Sequence, residues 1–351
     1  MASTNVNIIF GAMTVGQAGT LSRPCINRMT NISGVLGLDG CRQTTPEEVK
    51  DVLDVFQRHG HSDIDTSRAY GNGTSESLLG ESRWQERNLR IHTKVYPTAN
   101  YGAIPDAYTL GAEDLRRALN RSLEALKTDS VDLWYLHAPD RNTPLEVSMQ
   151  EVDKLHREGK FKRLGISNFM SWEVAQMCEI CGRHGWIRPS VYQGIYNPLH
   201  RAIEAELLPC LRHYNIALYG FQPLAGGLLT GRYNLETTSF DAGARYDPNN
   251  KQSSTMNDRY WNKTTFAALE IIQAAAQKHG LTVAECAYRW LVHHSVLDKK
   301  HGDALIIGAS SVKQLEGNLA DSEKGPLPED VVQAMEQAWQ LIQEPIRKYW
   351  H

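Results

Sequence analysis

The chain has 351 residues, and its 37 lysines and arginines against 40 aspartates and glutamates give a formal net charge of -3. That balance gives no electrostatic reason to bind nucleic acid or an anionic membrane, so we expect neither as a partner. A hydrophobic fraction of 41% with 22% charged residues is typical of globular proteins and excludes a disordered chain. Without a signal-like segment at residues 1–10 or an apolar run of roughly 18 residues, we expect a cytoplasmic protein.

Six cysteines in a chain of this length are expected to be reduced thiols rather than a disulfide framework. Cys178 and Cys181 form a C-x-x-C pair inside a predicted helix, with no second pair nearby. A zinc site of this type needs four ligands, so we expect no metal here.

Short apolar segments alternate with amphipathic helices along the chain. The predicted strands are 7–10, 62–65, 90–95, 131–137, 162–167, 190–193, 216–221 and 304–307. The predicted helices are 45–60, 115–126, 145–157, 172–184, 203–213, 266–279, 282–294 and 328–342. A further helix is predicted to begin after strand eight. Eight repeated βα units predict a single-domain (β/α)8 TIM barrel over residues 1–351. No G-x-G-x-x-G follows strand one, so a Rossmann domain is not expected.

The first helix has complete start signals. Thr45, Pro46 and Glu48 are an N-cap, an N1 proline and a capping-box glutamate, and Gly60 is expected to stop the helix. Its apolar side chains recur at i, i+3, i+4 and i+7: Val49, Val52, Leu53 and Phe56.

Two segments are longer than ordinary barrel loops. Residues 14–44 after strand one have little periodicity, and the alternatives are a lid, an ordinary surface loop or an unspliced intron. Residues 234–262 after strand seven are predicted to form a substrate loop. Both are expected at the carboxyl end of the barrel, where barrel enzymes build their active sites.

Four polar side chains follow three neighbouring strands at this same end. Asp65 ends strand two, Tyr70 comes five residues later, Lys94 lies near the end of strand three, and His137 ends strand four. Each residue type is commonplace alone, as a helix cap or a core residue. Together, on adjacent strands, they are expected to converge on one point.

This set resembles the Asp, Tyr, Lys and His tetrad of the aldo-keto reductase superfamily, which carries the four residues on the same strands in the same order. The resemblance implies reduction of an aldehyde or ketone to an alcohol with a nicotinamide cofactor. A free tyrosine is a weak proton donor at neutral pH, so we expect Lys94 to lower the pKa of Tyr70. Asp65 would hold Lys94, and His137 would orient the carbonyl oxygen.

The resemblance also implies a cofactor site. Ser167, Asn168 and Gln193 match the residues that bind the nicotinamide carboxamide, and Phe221 stands where the family usually has a stacking tyrosine. The rest of the implied set comprises Met13 after strand one and the diphosphate-loop residues Gln222, Pro223, Leu224, Gly226, Leu228, Gly231 and Arg232.

The segment after strand eight resembles the family's adenosine-phosphate site. Its implied ligands are Gly308, Ser310, Ser311, Gln314 and Asn318. Hydroxyls at a helix start favour an anion, which favours NADPH over NADH. Many family members have arginine where Gln314 stands, and a plain N-cap at Ser310 and Ser311 is compatible with either cofactor.

Within the superfamily, the segments 10–13, 135–140, 197–198, 289–290, 293–295 and 301–304 resemble the aflatoxin-aldehyde reductase branch. That branch handles dialdehydes and succinic semialdehyde. In that branch, an arginine matching Arg245 and another in the C-terminal tail bind acidic substrates. The tail at 344–351 instead offers Tyr349 and Trp350, which favour a bulkier aromatic or polyketide-derived aldehyde. The role would lie in detoxification or secondary metabolism, and the branch implies a homodimer. The alternatives are an aryl-alcohol dehydrogenase and a nicotinamide-binding regulatory subunit.

Overall fold

The computed structural model describes residues 4–17, 40–101, 107–250, 252–344 and 348–351. Residues 18–39, most of the predicted insert at 14–44, lie outside the described residues, and so does part of the predicted tail. The predictions for the insert therefore stay predictions.

Eight parallel strands close into a barrel in chain order, and the last strand pairs with the first. The strands are β1 Asn7–Gly11, β2 Asp63–Asp65, β3 Arg90–Val95, β4 Val131–Leu136, β5 Phe161–Ser167, β6 Pro189–Ile195, β7 Ala217–Phe221 and β8 Ala304–Ile307. Each overlaps a predicted strand. The predicted (β/α)8 TIM barrel is confirmed.

Helices follow the strands and cover the barrel. They are α1 Pro46–Arg58, α2 Thr74–Glu81, α3 Ala112–Leu126, α4 Leu145–Arg157, α5 Ser171–His184, α6 Leu207–His213, α7 Ser253–Tyr260, α8 Lys263–Lys278, α9 Val283–His293, α10 Val312–Ser322 and α11 Glu329–Ile342. Two of them, α2 and α7, were not predicted. Both have eight residues and no side-chain N-cap bond, so neither offers a strong start signal or a long apolar stripe.

The start signals of α1 are confirmed. The Thr45 hydroxyl accepts from the backbone N–H of Glu48 at 3.2 Å, and the Glu48 carboxylate accepts from the N–H of Thr45 at 3.2 Å. The predicted apolar side chains are buried, each contributing about 1.5–3 kcal/mol, and Gly60 follows with a left-handed φ of 83°.

Apolar and aromatic side chains fill the middle of the barrel. The buried layer comprises Ile9, Leu133, Tyr135, Val191, Ala217, Tyr219, Ala304 and Ile306. This layer separates the two ends of the barrel, so each end carries its own group of polar side chains.

Cys178, Cys181, Cys210 and Cys286 are free thiols, as predicted. Burial raises the pKa of Cys178 and of Cys181 to about 12, so neither is a reactive thiolate near neutral pH. Among the described residues, no helix is both long enough and apolar enough to cross a membrane.

Candidate active site

Lys94 and Asp65 form a buried ion pair at the carboxyl end of the barrel. Lys94 Nζ donates to Asp65 Oδ2 at 2.5 Å and to the backbone carbonyl of Thr66 at 2.7 Å. The third contact of the ammonium is the Tyr70 hydroxyl at 3.4 Å. The structure therefore brings three of the four predicted residues together around one cation.

The second oxygen of Asp65 is also bonded. Gln193, at the end of β6, donates its side-chain amide to Asp65 Oδ1 at 2.8 Å. Gln193 was predicted to bind a nicotinamide carboxamide, and here one of its two amide hydrogens holds the carboxylate. The side chain also has a second amide hydrogen and a carbonyl oxygen, so the predicted role stays a prediction.

Tyr70 is half-buried, in a tight turn between β2 and α2. Burial raises the pKa of its hydroxyl above the usual value of about 10, although the charges of Lys94 and Arg245 act in the opposite direction. Lys94 lowers this pKa as predicted, but the loss of hydration outweighs the effect of the ammonium, so the net shift is upward. Tyr70 is therefore protonated at neutral pH, as a proton donor must be.

His137 lies beside Tyr70 just after β4, with ring centroids 5.8 Å apart and the rings edge to face. Burial holds its pKa well below the usual range, and the charges of Lys94 and His351 lower it further. The imidazole is consequently neutral. It can offer a hydrogen bond to a carbonyl oxygen without changing charge.

Ser167 and Asn168 end β5 next to His137. The Asn168 amide donates to the His137 carbonyl at 2.8 Å and to Ser167 Oγ at 3.0 Å. Among the described residues nothing donates to Asn168 Oδ1, and nothing accepts the hydroxyl hydrogen of Ser167. One acceptor and one donor are thus left side by side, which fits a carboxamide.

The loop after β7 has a series of left-handed backbone conformations. They occur at Gln222, Ala225, Gly226, Gly227 and Gly231, with φ values of 59°, 49°, 69°, 104° and 74°. Such turns direct successive N–H groups to one side and form a concave anion site, so the loop fits a diphosphate.

The other loop residues surround this turn. Leu228 is buried, while Phe221, Gln222 and Leu224 are half-buried. Arg232 forms an exposed ion pair with Asp241 at 3.0 Å.

The segment after β8 forms the start of α10. Ser311 caps the helix by accepting from the N–H of Gln314 at 3.2 Å. The Gln314 side-chain oxygen accepts from the N–H and hydroxyl of Ser310 at 3.0 and 2.6 Å. Asn318 donates to the carbonyl of Gly308 at 3.4 Å. The N-cap is therefore present at Ser311, and Gln314 is engaged within the segment.

Segment 234–262 contains α7 and is held by packed aromatic rings. Tyr233, Tyr246 and Trp261 lie with ring centroids 5.2–5.9 Å apart. From this segment Arg245 reaches Met13, with Nη2 3.5 Å from the Met13 sulfur, so the loops after β1 and β7 meet. Among the described residues no carboxylate pairs with Arg245.

The tail packs beside α5, and the predicted substrate role of Tyr349 and Trp350 stays a prediction. Tyr349 is buried, and its hydroxyl accepts from the N–H of Ser171 at 3.2 Å. The ring of Tyr349 therefore anchors the tail on α5, while Trp350 is half-buried beside it.

Two site residues were not predicted. His351 Nδ1 lies 3.3 Å from the Tyr96 hydroxyl, and the Tyr96 ring meets His137 edge to face at 5.3 Å. The position of Tyr96, two residues after Lys94, was the available signal. Nothing local in the sequence places His351 there.

A sequence profile of the Aldo/keto reductase family matches residues 7–340. An aldo-keto reductase of Pseudocercospora fijiensis is 48% identical over 85% of this chain and 100% of its own length. The aldo-keto reductase pigE of Monascus ruber is 43% identical over 91% of this chain and 96% of its own. The human aflatoxin B1 aldehyde reductase member 2 is 40% identical over 95% of this chain and 93% of its own length.

The chain belongs to the aldo-keto reductase family. It is an oxidoreductase that acts on carbonyl and alcohol groups, and its substrates are small carbonyl compounds. The family uses nicotinamide cofactors, usually NADP(H), and the geometry around Asn168 and the loop after β7 fits such a cofactor.

Proposed function

We propose that the chain is an NADPH-dependent reductase of aldehydes or ketones, with Tyr70 as the general acid. The observation that carries this is the Lys94 ammonium, bonded to Asp65 and in contact with the Tyr70 hydroxyl. The bound cofactor supplies the hydride. Tyr70 gives its proton to the carbonyl oxygen, and Lys94 stabilises the tyrosinate that remains. His137 donates a hydrogen bond to the same oxygen.

The test follows NADPH oxidation with aromatic, aliphatic and carboxylated aldehydes. Tyr70→Phe should lower kcat by about 10²- to 10⁴-fold while NADPH binding, followed by fluorescence, persists. Tyr288→Phe is the matched control, because this buried hydroxyl on α9 has no hydrogen-bond partner in the part of the chain that the structure describes. A wild-type protein that binds NADPH and reduces no carbonyl would overturn the proposal in favour of a regulatory subunit.

The preference for NADPH is supported by the start of α10. Lys313 is exposed there beside Ser310 and Ser311, and no carboxylate pairs with it among the described residues. A 2′-phosphate is the anion that this position suits. Lys313→Glu should lower kcat/KM for NADPH about tenfold and leave that for NADH unchanged, whereas Lys300→Glu on an exposed turn should change neither.

For the substrate, we propose that Arg245 binds a polar or acidic group. It acts electrostatically on Tyr70 and lacks a carboxylate partner among the described residues. Arg245→Met should raise KM for a carboxylated aldehyde about tenfold more than KM for its uncharged analogue. Equal changes in the two KM values would exclude this role.

A further inference from the structure

Ser67 lies among the catalytic residues and belongs to none of the predicted sets. It follows β2 between Asp65 and Tyr70 and is entirely buried. Its hydroxyl oxygen lies 3.1 Å from His137 Nδ1 and 3.3 Å from the carbonyl oxygen of Lys94. It also accepts from the N–H of Ala69 at 3.2 Å.

A hydroxyl has one hydrogen to donate and two lone pairs. Ala69 occupies one lone pair, so the hydrogen goes either to His137 Nδ1 or to the Lys94 carbonyl. That carbonyl already accepts from the N–H of Arg68 at 3.1 Å. His137 Nδ1 is closer to the hydroxyl, and among the described residues it has no other hydrogen-bond partner.

We propose that Ser67 is a positioning residue that donates to His137 Nδ1 and thereby fixes the imidazole tautomer with its hydrogen on Nε2. A neutral imidazole has one N–H, and the partner of one nitrogen determines which nitrogen carries it. With Nδ1 accepting from Ser67, Nε2 carries the hydrogen. The other tautomer would present a lone pair at Nε2, which repels a carbonyl oxygen gaining negative charge.

The catalytic value of this tautomer rests on the proposed reduction, in which His137 donates to the substrate oxygen. The tautomer itself is a property of the protein without cofactor or substrate. It can be measured even if no carbonyl compound is turned over, so failure of the two proposals is distinguishable.

The experiment is long-range ¹H–¹⁵N NMR of the histidine rings in the full chain, with the His137 signals assigned by their loss in His137→Gln. We expect wild-type His137 to carry its hydrogen on Nε2 and Ser67→Ala to give a mixture of tautomers. Ser67→Thr, which keeps the hydroxyl, should restore the wild-type spectrum. Ser148→Ala should change nothing, because within the described ranges that buried hydroxyl on α4 bonds only the carbonyl of Leu110, away from the site.

In the kinetic arm, Ser67→Ala should lower kcat about three- to tenfold and leave KM for NADPH unchanged. A hydrogen on Nδ1 in the wild-type spectrum overturns the assignment, and this readout requires no variant of Ser67 to fold. An unchanged tautomer in Ser67→Ala overturns it as well. A wild-type protein with the Nε2–H tautomer and no turnover would support the Ser67 assignment while refuting the reductase.

Discussion

The two ends of the barrel each hold a buried charged cluster built on the same strands. On β2 and β3, Asp65 and Lys94 lie at the carboxyl end, while Asp63 and His92 lie two residues earlier at the amino end. Side chains two residues apart share a face of a strand, so the same inward face carries both clusters. The difference between the clusters lies in how completely their charges are paired.

At the amino end every carboxylate has a guanidinium. Arg90 forms two hydrogen bonds with Asp63, and Arg163 forms two with Asp132 on β4. His92 Nε2 lies between them, 3.2 Å from Asp63 and 3.8 Å from Asp132. These three side chains are close enough to bind a cation, but the arginines already neutralise both carboxylates, so the cluster is a closed ion-pair network.

At the carboxyl end the pairing is incomplete. Lys94 is bonded to Asp65, yet its contact with the Tyr70 hydroxyl is 3.4 Å, and Arg245 has no carboxylate among the described residues. His137 is neutral. One end therefore has its charges matched within the protein, while the other keeps a proton donor and a cation for a ligand, as in barrels whose carboxyl end performs the chemistry.

After Tyr70, the largest expected effect is at Lys94. Lys94→Met should lower kcat by about 10²- to 10³-fold, or about 3–4 kcal/mol, because the tyrosinate then loses the ammonium in contact with its oxygen. The measurement is single-turnover reduction at saturating NADPH. Lys94→Met alone leaves the Asp65 carboxylate buried and unpaired, which destabilises the fold. The double variant Asp65→Asn with Lys94→Met removes both charges, so a loss of rate in it is not caused by that unpaired carboxylate. A wild-type rate in the double variant would contradict the role of Lys94.

Substitutions in the amino-end cluster should lower the stability of the protein and leave its catalytic rate nearly unchanged. Asp63→Asn should lower the free energy of unfolding by about 1–2 kcal/mol, because it breaks a partly buried ion pair with Arg90, and leave kcat within about twofold. Urea unfolding and steady-state rates measure the two quantities. A large loss of kcat in correctly folded Asp63→Asn would show that the ends are coupled through the barrel interior.

The stabilisation by Asp63 should depend on pH in one direction. Burial raises the pKa of Asp63, but the hydrogen bonds and charges of His92 and Arg90 lower it by a larger amount. The pKa of Asp63 in the folded protein therefore lies below its ordinary value. The stabilisation is then present above the unfolded pKa of about 3.9 and is lost as the pH falls through the folded pKa. The unfolding difference between wild type and Asp63→Asn should accordingly shrink on acidification below about pH 4.

The pH dependence of the reaction rate tests the protonation states of Tyr70 and His137 at the carboxyl end. Because burial raises the pKa of Tyr70, reduction should stay level through neutral pH and fall about tenfold per pH unit only above about pH 10. Alcohol oxidation, which needs the tyrosinate, should rise with pH over the same range. The low pKa of His137 predicts no acid limb near pH 6.5. An inflection in kcat/KM near that pH would contradict a neutral His137.

The sequence was sufficient to predict that these side chains meet, since the ends of parallel strands lie at one edge of the barrel and Asp65, Lys94 and His137 each lie at or next to the end of a strand. The sequence was also sufficient to predict where α1 begins, because Thr45 and Glu48 form a capping box from residues close together in the chain. Both inferences need only strand order and near neighbours in the chain.

Other features depend on tertiary packing. The direction of the Tyr70 pKa shift depends on how deeply the ring is buried, which no residue pattern encodes. The contact between Tyr96 and His351 joins positions 255 apart in the sequence and depends on the path of the tail. The pairing of Asp132 with Arg163 depends on the register of β4 and β5.

The smallest expected effect is at a partly exposed ion pair between the outer helices α1 and α10. His59 at the end of α1 contacts Glu323 at 2.6 Å and Glu316 at 3.2 Å, both near α10. Burial lowers the pKa of His59, but the two glutamates raise it more, so the folded pKa is above the usual value. Its stabilisation is therefore present below the unfolded pKa of about 6.5 and is lost as the pH rises through the folded pKa.

His59→Gln should accordingly lower the free energy of unfolding by less than about 1 kcal/mol at about pH 5.5 and by nothing measurable at about pH 9. His301→Gln on an exposed turn is the control and should show no such dependence. A cost that grows with pH would mean that His59 is held in its neutral form. A smaller loss in His59→Gln than in Asp63→Asn would show that the ion pairs of the amino-end cluster contribute more to stability than those between α1 and α10.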